Sequence, residues 1–95
     1  PQQILQCVAE FYDLDVRDLT MRKRTQSVVY PRQIAMYLMR TMTDLSLPKI
    51  GDEFGGRDHT TIMHACHRIE TDLRRDTQLV QTLQTLRQRI ESSGV

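Results

Sequence analysis

Ile50-Gly51-Asp52-Glu53-Phe54-Gly55-Gly56-Arg57-Asp58-His59-Thr60-Thr61-Ile62-Met63-His64-Ala65 is the stretch whose reading decides the fold. A Gly-Gly pair interrupts two helical patterns, and glycine's access to positive φ lets the chain set the second helix steeply against the first. The arrangement reads as a helix-turn-helix over about residues 46–73. Its second helix opens on the short polar side chains Asp58, His59, Thr60 and Thr61. That is the end such motifs push into the major groove, where base edges require donors, acceptors and methyl contacts. The stretch therefore predicts sequence-specific binding to double-stranded DNA.

Outward from the turn, Ile62, Cys66, Ile69 and Leu73 are spaced 4, 3 and 4, which places them on one helical face and makes that face core. Thr60, His64, His67 and Thr71 fall on the opposite side, a polar surface without an acid. Asp58 is the expected N-cap of this helix. Ser46 caps the preceding one, which has Pro48 in its first turn and is held to the core by Ile50 and Phe54. Further upstream, Pro31 suits the start of another helix, with Ile34, Ala35, Leu38, Met39 and Met42 as its apolar face. Arg32 and Gln33 would then lie in a first turn, where their side chains and free backbone N–H groups could hold a phosphate. Residues 20–30 are basic and polar with no helical period and read as a surface loop, with Ser27-Val28-Val29-Tyr30 the only strand-like run. Ile4, Leu5, Val8, Phe11 and Tyr12 predict a first amphipathic helix over residues 2–12, and Val16 and Leu19 one short helical turn after it. Leu79, Leu83, Leu86 and Ile90, again spaced 4, 3 and 4, predict a closing helix. The fold class is all-α, a compact helical bundle built around the helix-turn-helix.

Ninety-five residues, 39% hydrophobic and 26% charged, suit one small domain spanning 1–95 with a single core, and leave no room for a separate substrate domain. The chain begins at Pro1 without a charged-then-apolar leader, as expected of an excised or processed piece. No apolar run approaches the roughly 20 residues of a membrane span. Cys7 and Cys66 both fall on apolar faces and read as buried thiols in a reducing cytoplasm. The net charge of +1 is unevenly spread. Residues 1–20 carry −3, whereas residues 20–43 hold Arg22, Lys23, Arg24, Arg32 and Arg40 with no acid. Such a block is an electrostatic footprint for a polyanion.

Other chemistries find little support. His64 and His67 supply two metal ligands at most from one face, with no CxxC or HExxH pattern to complete a site. Asp58 and His59 are sequence neighbours whose side chains are expected to point apart rather than pair, and no GxSxG turn presents a serine nucleophile. The glycines are not followed by Lys-Ser/Thr and form no GxGxxG. An interaction module would expose a large apolar patch, and a membrane-surface domain would carry its cations along a helix rather than in a loop.

Leu47-Pro48-Lys49-Ile50-Gly51, Phe54-Gly55-Gly56-Arg57-Asp58-His59-Thr60-Thr61 and His64-Ala65 closely resemble the signature of the C-terminal DNA-binding domain of the DnaA family, the bacterial chromosomal replication initiators. The likeness extends to Val8-Ala9-Glu10-Phe11-Tyr12, to the Arg-rich loop and to Pro31-Arg32-Gln33-Ile34-Ala35-Met36, covering roughly residues 3–73. It implies a helix-turn-helix similar to that of the Trp repressor, binding DnaA boxes at the replication origin. By this resemblance Arg24 enters the minor groove, while Asp58, His59 and Thr60 read bases in the major groove. Arg32, Gln33 and Thr61 would hold phosphates, with Arg40, Pro48, Arg57 and His64 completing that set. Full-length members bind ATP through a separate domain, so these residues are expected to need no cofactor, to have no small-molecule substrate and to be no enzyme. The implied partner is a DnaA box in double-stranded DNA, bound by this domain as a monomer, with other DnaA protomers engaged through other domains.

Overall fold

Pro31 does not start a helix. In the computed structural model, which describes residues 1–21 and 25–93, it lies inside α3, Gln26–Met42. The run Ser27-Val28-Val29-Tyr30, read as loop or strand, is helical, and Thr25 occupies the N-cap position with its carbonyl accepting from the amides of Val28 and Val29. A proline at this depth removes one ladder bond and costs about 3 kcal/mol. Ser27, whose carbonyl loses the donor, is exposed and can bond to water instead. Val28 and Pro31 are buried and Tyr30 reaches across to Asp72, so tertiary contacts offset what the isolated segment could not.

The remaining helices lie close to expectation. α1 spans Gln2–Phe11, α2 Val16–Thr20, α4 Leu47–Glu53, α5 His59–Leu73 and α6 Thr77–Ser93. Asp13 lies in the first connection at φ 57°, a left-handed position that aspartate tolerates, and the amide of Leu14 returns to the carbonyl of Ala9 at 2.7 Å. Asp15 then opens α2, its Oδ1 accepting from the Arg17 amide and its own amide donating to Asp18 Oδ2. Ser46 Oγ accepts from the Lys49 amide at the start of α4, and Asp76 Oδ1 accepts from the Gln78 and Leu79 amides at the start of α6.

One cluster of buried side chains draws on every one of these helices, through Leu5 and Val8, Leu19, Ile34 and Leu38, Ile50, Ile62 and Ile69, and Leu83 and Leu86. α3 is the axis of the packing, with α1, α2, α4 and α5 against it, while α6 closes over α1 and α5. Cys7 and Cys66 are both buried free thiols, and burial raises the pKa of Cys66. No strand occurs among the described residues, so the fold is all-α. No described helix is long and apolar enough to cross a membrane.

Candidate nucleic-acid interface

The angle between α4 and α5 is set by one backbone crossing. The carbonyl of Gly51 accepts from the amides of Phe54, Gly56 and Arg57, folding the turn back onto α4. A Cβ at Gly51 would collide with the carbonyl oxygen of Arg57, so only glycine permits the crossing. Gly55 and Gly56 follow at φ 78° and 80°. A Cβ on Gly55 would also lie 2.7 Å from the carbonyl oxygen of Thr20, so the turn is seated against the end of α2.

α5 leaves this turn with its first residues in solvent. Asp58 adopts extended backbone angles at the N-cap, and its Oδ1 accepts from the Thr60 amide at 3.3 Å. The same oxygen lies 3.0 Å from His59 Nδ1, which corrects the expectation that these two side chains point apart. Helical geometry separates neighbours only within a helix; Asp58 lies outside it and folds back across the first turn. The pair remains open to solvent, with side-chain exposures of 67% and 59%. His64 and His67 are exposed along the outward face and Thr60 and Thr71 half-exposed, but the Thr71 hydroxyl donates back to the carbonyl of His67.

Arg32 corrects a second expectation. It sits well inside α3, past Pro31, without the free amides of a first turn, and is only 4% exposed. Its Nε donates to the carbonyl of Leu19 at 2.9 Å, and its Nη2 to those of Met21 and Asp18 at 2.8 and 3.1 Å. These carbonyls belong to the end of α2, where a helix leaves acceptors unpaired. Arg32 therefore caps the C-terminal end of α2, while still lining the cleft between α3 and α5. Arg57 Nη2 also reaches Met21 O at 3.1 Å, tying the helix-turn-helix to the same spot. Burial, and then the neighbouring Arg57 charge, lower the pKa of Arg32. Arg22, Lys23 and Arg24 follow directly in sequence; Arg24, assigned to the minor groove by the resemblance, lies outside the described residues.

Between α3 and α5 lies an open cleft of about 430 Å³, walled by Gln33, Arg57, Thr61, His64 and Arg68 with Arg32 and Met36 also lining it. Five of the expected phosphate ligands, Arg32 among them, thus meet on one surface. Arg40 and Pro48 do not line the cleft: Arg40 is exposed in the last turn of α3 and Pro48 in the first turn of α4. Sequence reasoning missed Arg68, although Thr61, His64 and Arg68 are spaced 3 and 4 and so share a stripe. It also passed over Met63, which is 46% exposed one turn after His59. Arg68 is held from three sides, by Gln33, by the Tyr30 ring and by Asp72. Burial, followed by the hydrogen bond to Asp72, raises the pKa of Tyr30, so its phenol stays protonated as the donor.

Comparison with known proteins gives a consistent result. Residues 1–69 match the family described as bacterial dnaA protein helix-turn-helix. The chromosomal replication initiator protein DnaA of Symbiobacterium thermophilum is 53% identical over 89 residues, covering 94% of this chain and 19% of that relative's length. A crystal structure described as a DNA replication initiation factor superposes with a TM-score of 0.83 at 33% identity, covering 95% of this chain and 28% of that one.

Proposed function

The chain belongs to the bacterial DnaA helix-turn-helix family, and we propose that it binds DnaA boxes in double-stranded DNA, serving initiation of chromosome replication in the cytoplasm. The observation that carries this reading is one continuous surface: the exposed first turn of α5, with Asp58, His59 and Thr60, beside a cleft walled by Gln33, Arg57, Thr61 and His64. The first turn enters the major groove and the cleft seats on the flanking backbone.

The side-chain chemistry fits those roles. Asp58 Oδ1 is occupied by Thr60 and His59, which leaves Oδ2 to accept from a cytosine N4 amino group. With Nδ1 turned to Asp58, His59 presents Nε2 to the groove, and the Thr60 methyl can meet a thymine methyl. Arg40, Pro48 and Arg57 contact phosphates beyond the base-reading turn. Arg24 enters the adjacent minor groove, because a guanidinium sheds water more readily than an ammonium and A·T-rich segments deepen the negative potential there. The domain acts as a monomer on one box and performs no catalysis itself. ATP binding and contacts between protomers belong to other parts of longer DnaA proteins.

The test is a binding titration of a DnaA-box duplex against a scrambled duplex of equal composition, repeated over a salt series. About five phosphate contacts give a log–log slope near −4.5 together with a clear preference for the box. Equal affinity for both duplexes, or no salt dependence, refutes the proposal.

A further inference from the structure

Arg68 and Gln33 face each other across the cleft from α5 and α3. Arg68 Nη1 donates to Gln33 Oε1 at 3.1 Å. That bond fixes which way the amide points: with Oε1 turned to Arg68, the two N–H groups of Nε2 face away from it, and they have no protein partner among the described residues. The guanidinium is also fixed from behind. Its carbon lies 4.9 Å from the centre of the Tyr30 ring, and its Nε is 3.8 Å from Asp72 Oδ2, close enough for charge attraction but too far for a hydrogen bond. Tyr30 donates to that same carboxylate oxygen at 2.7 Å and so holds Asp72 in place. Arg68 Nη2 is left without a protein partner among the described residues.

A flat cation with a committed back edge and a committed face, beside an amide with outward N–H groups, matches the needs of a phosphate diester oxygen. We propose that Arg68 is a further backbone-phosphate ligand, that it orients the Gln33 amide for the same phosphate, and that Tyr30 and Asp72 are positioning residues acting through Arg68. The inference rests on the DNA-binding reading of the cleft. An exposed strap between two helices would contribute little stability, since surface ion pairs are worth at most about 1 kcal/mol. The arrangement instead removes the conformational freedom that a long arginine otherwise loses on binding.

The test uses the whole 95-residue chain, a box duplex and a salt series. Arg68→Gln leaves a polar, hydrogen-bonding side chain but removes the charge; the slope should become shallower by about 0.9, with affinity about eightfold weaker at 0.1 M salt. Arg68→Lys keeps the charge, so its slope should match the parent's while some affinity is lost with the fork to Gln33. Tyr30→Phe keeps the ring but frees Asp72, and should weaken binding severalfold at unchanged slope. In an Arg68→Gln background the Tyr30→Phe effect should vanish. A parental slope in Arg68→Gln overturns the phosphate contact, and an undiminished Tyr30→Phe effect in that background overturns the positioning role. If the parent itself prefers no box, the DNA-binding reading falls and takes this inference with it. Box preference with an unchanged Arg68→Gln slope sinks the inference alone.

Discussion

Alanine at Gly51, Gly55 and Gly56 separates two physical costs that sequence reasoning confounds. Gly51 lies within α4, where helix propensity alone makes alanine better than glycine by roughly 0.8–1.0 kcal/mol. Its added methyl, however, would meet the Arg57 carbonyl oxygen, a backbone atom that cannot rotate away. Relieving that contact means moving the turn off α4 and stretching the three amides bonded to the Gly51 carbonyl. Overpacking of this kind costs typically 1–3 kcal/mol and sometimes more, so with a rigid neighbour a net loss of about 2 kcal/mol is expected. Gly56 is the opposite case, with φ 80° and nothing within 4 Å of an added Cβ, so only left-handed strain of about 1 kcal/mol applies. Gly55 combines φ 78° with a Cβ 2.7 Å from the Thr20 carbonyl oxygen and should lose about 2–3 kcal/mol. For a domain of this size each kcal/mol shifts Tm by roughly 4–8 °C. Thermal unfolding followed by circular dichroism should thus place Gly56→Ala about 5 °C below the parent, and Gly51→Ala and Gly55→Ala at least about 10 °C below. A Gly51→Ala protein as stable as the parent, or more so, would show that propensity wins and would refute the crossing argument.

Other substitutions probe the interface. Arg32→Met should destabilise the fold by about 3 kcal/mol, because charge-assisted bonds to the end of α2 are lost and buried carbonyls go unpaired; denaturant titration checks this, and unchanged stability would refute the capping role. His59→Ala and Thr60→Ala should each reduce discrimination between the box and altered boxes by roughly 1–3 kcal/mol while leaving non-specific affinity nearly intact, as read from competition titrations. Equal loss of both affinities would make them positioning groups. Arg24→Lys should lose part of the preference for A·T pairs at one end of the box, measured as the affinity ratio between the native box and one with that end changed to G·C. A ratio equal to the parent's would assign Arg24 to a phosphate.

Sequence by itself determined the features whose causes lie within a turn or two of chain. The 4, 3, 4 spacings of α5 and α6, the caps Ser46 and Asp58, and the Gly-Gly break are local patterns, and each appears in the structure where it was read. The signature around Gly55-Gly56-Arg57-Asp58-His59-Thr60-Thr61 likewise identified the family. Tertiary structure alone decided where long side chains and marginal segments went. Helix α3 begins before Pro31 because Val28 is buried and Tyr30 bonds to Asp72, 42 residues away. Arg32 turns inward because the end of α2 presents carbonyls needing donors, and Arg68 is fixed only where α3 and α5 pack. An arginine has the same propensity and charge in either role. Which role it takes depends on the acceptors brought within about 3 Å by the fold, and no local pattern encodes those.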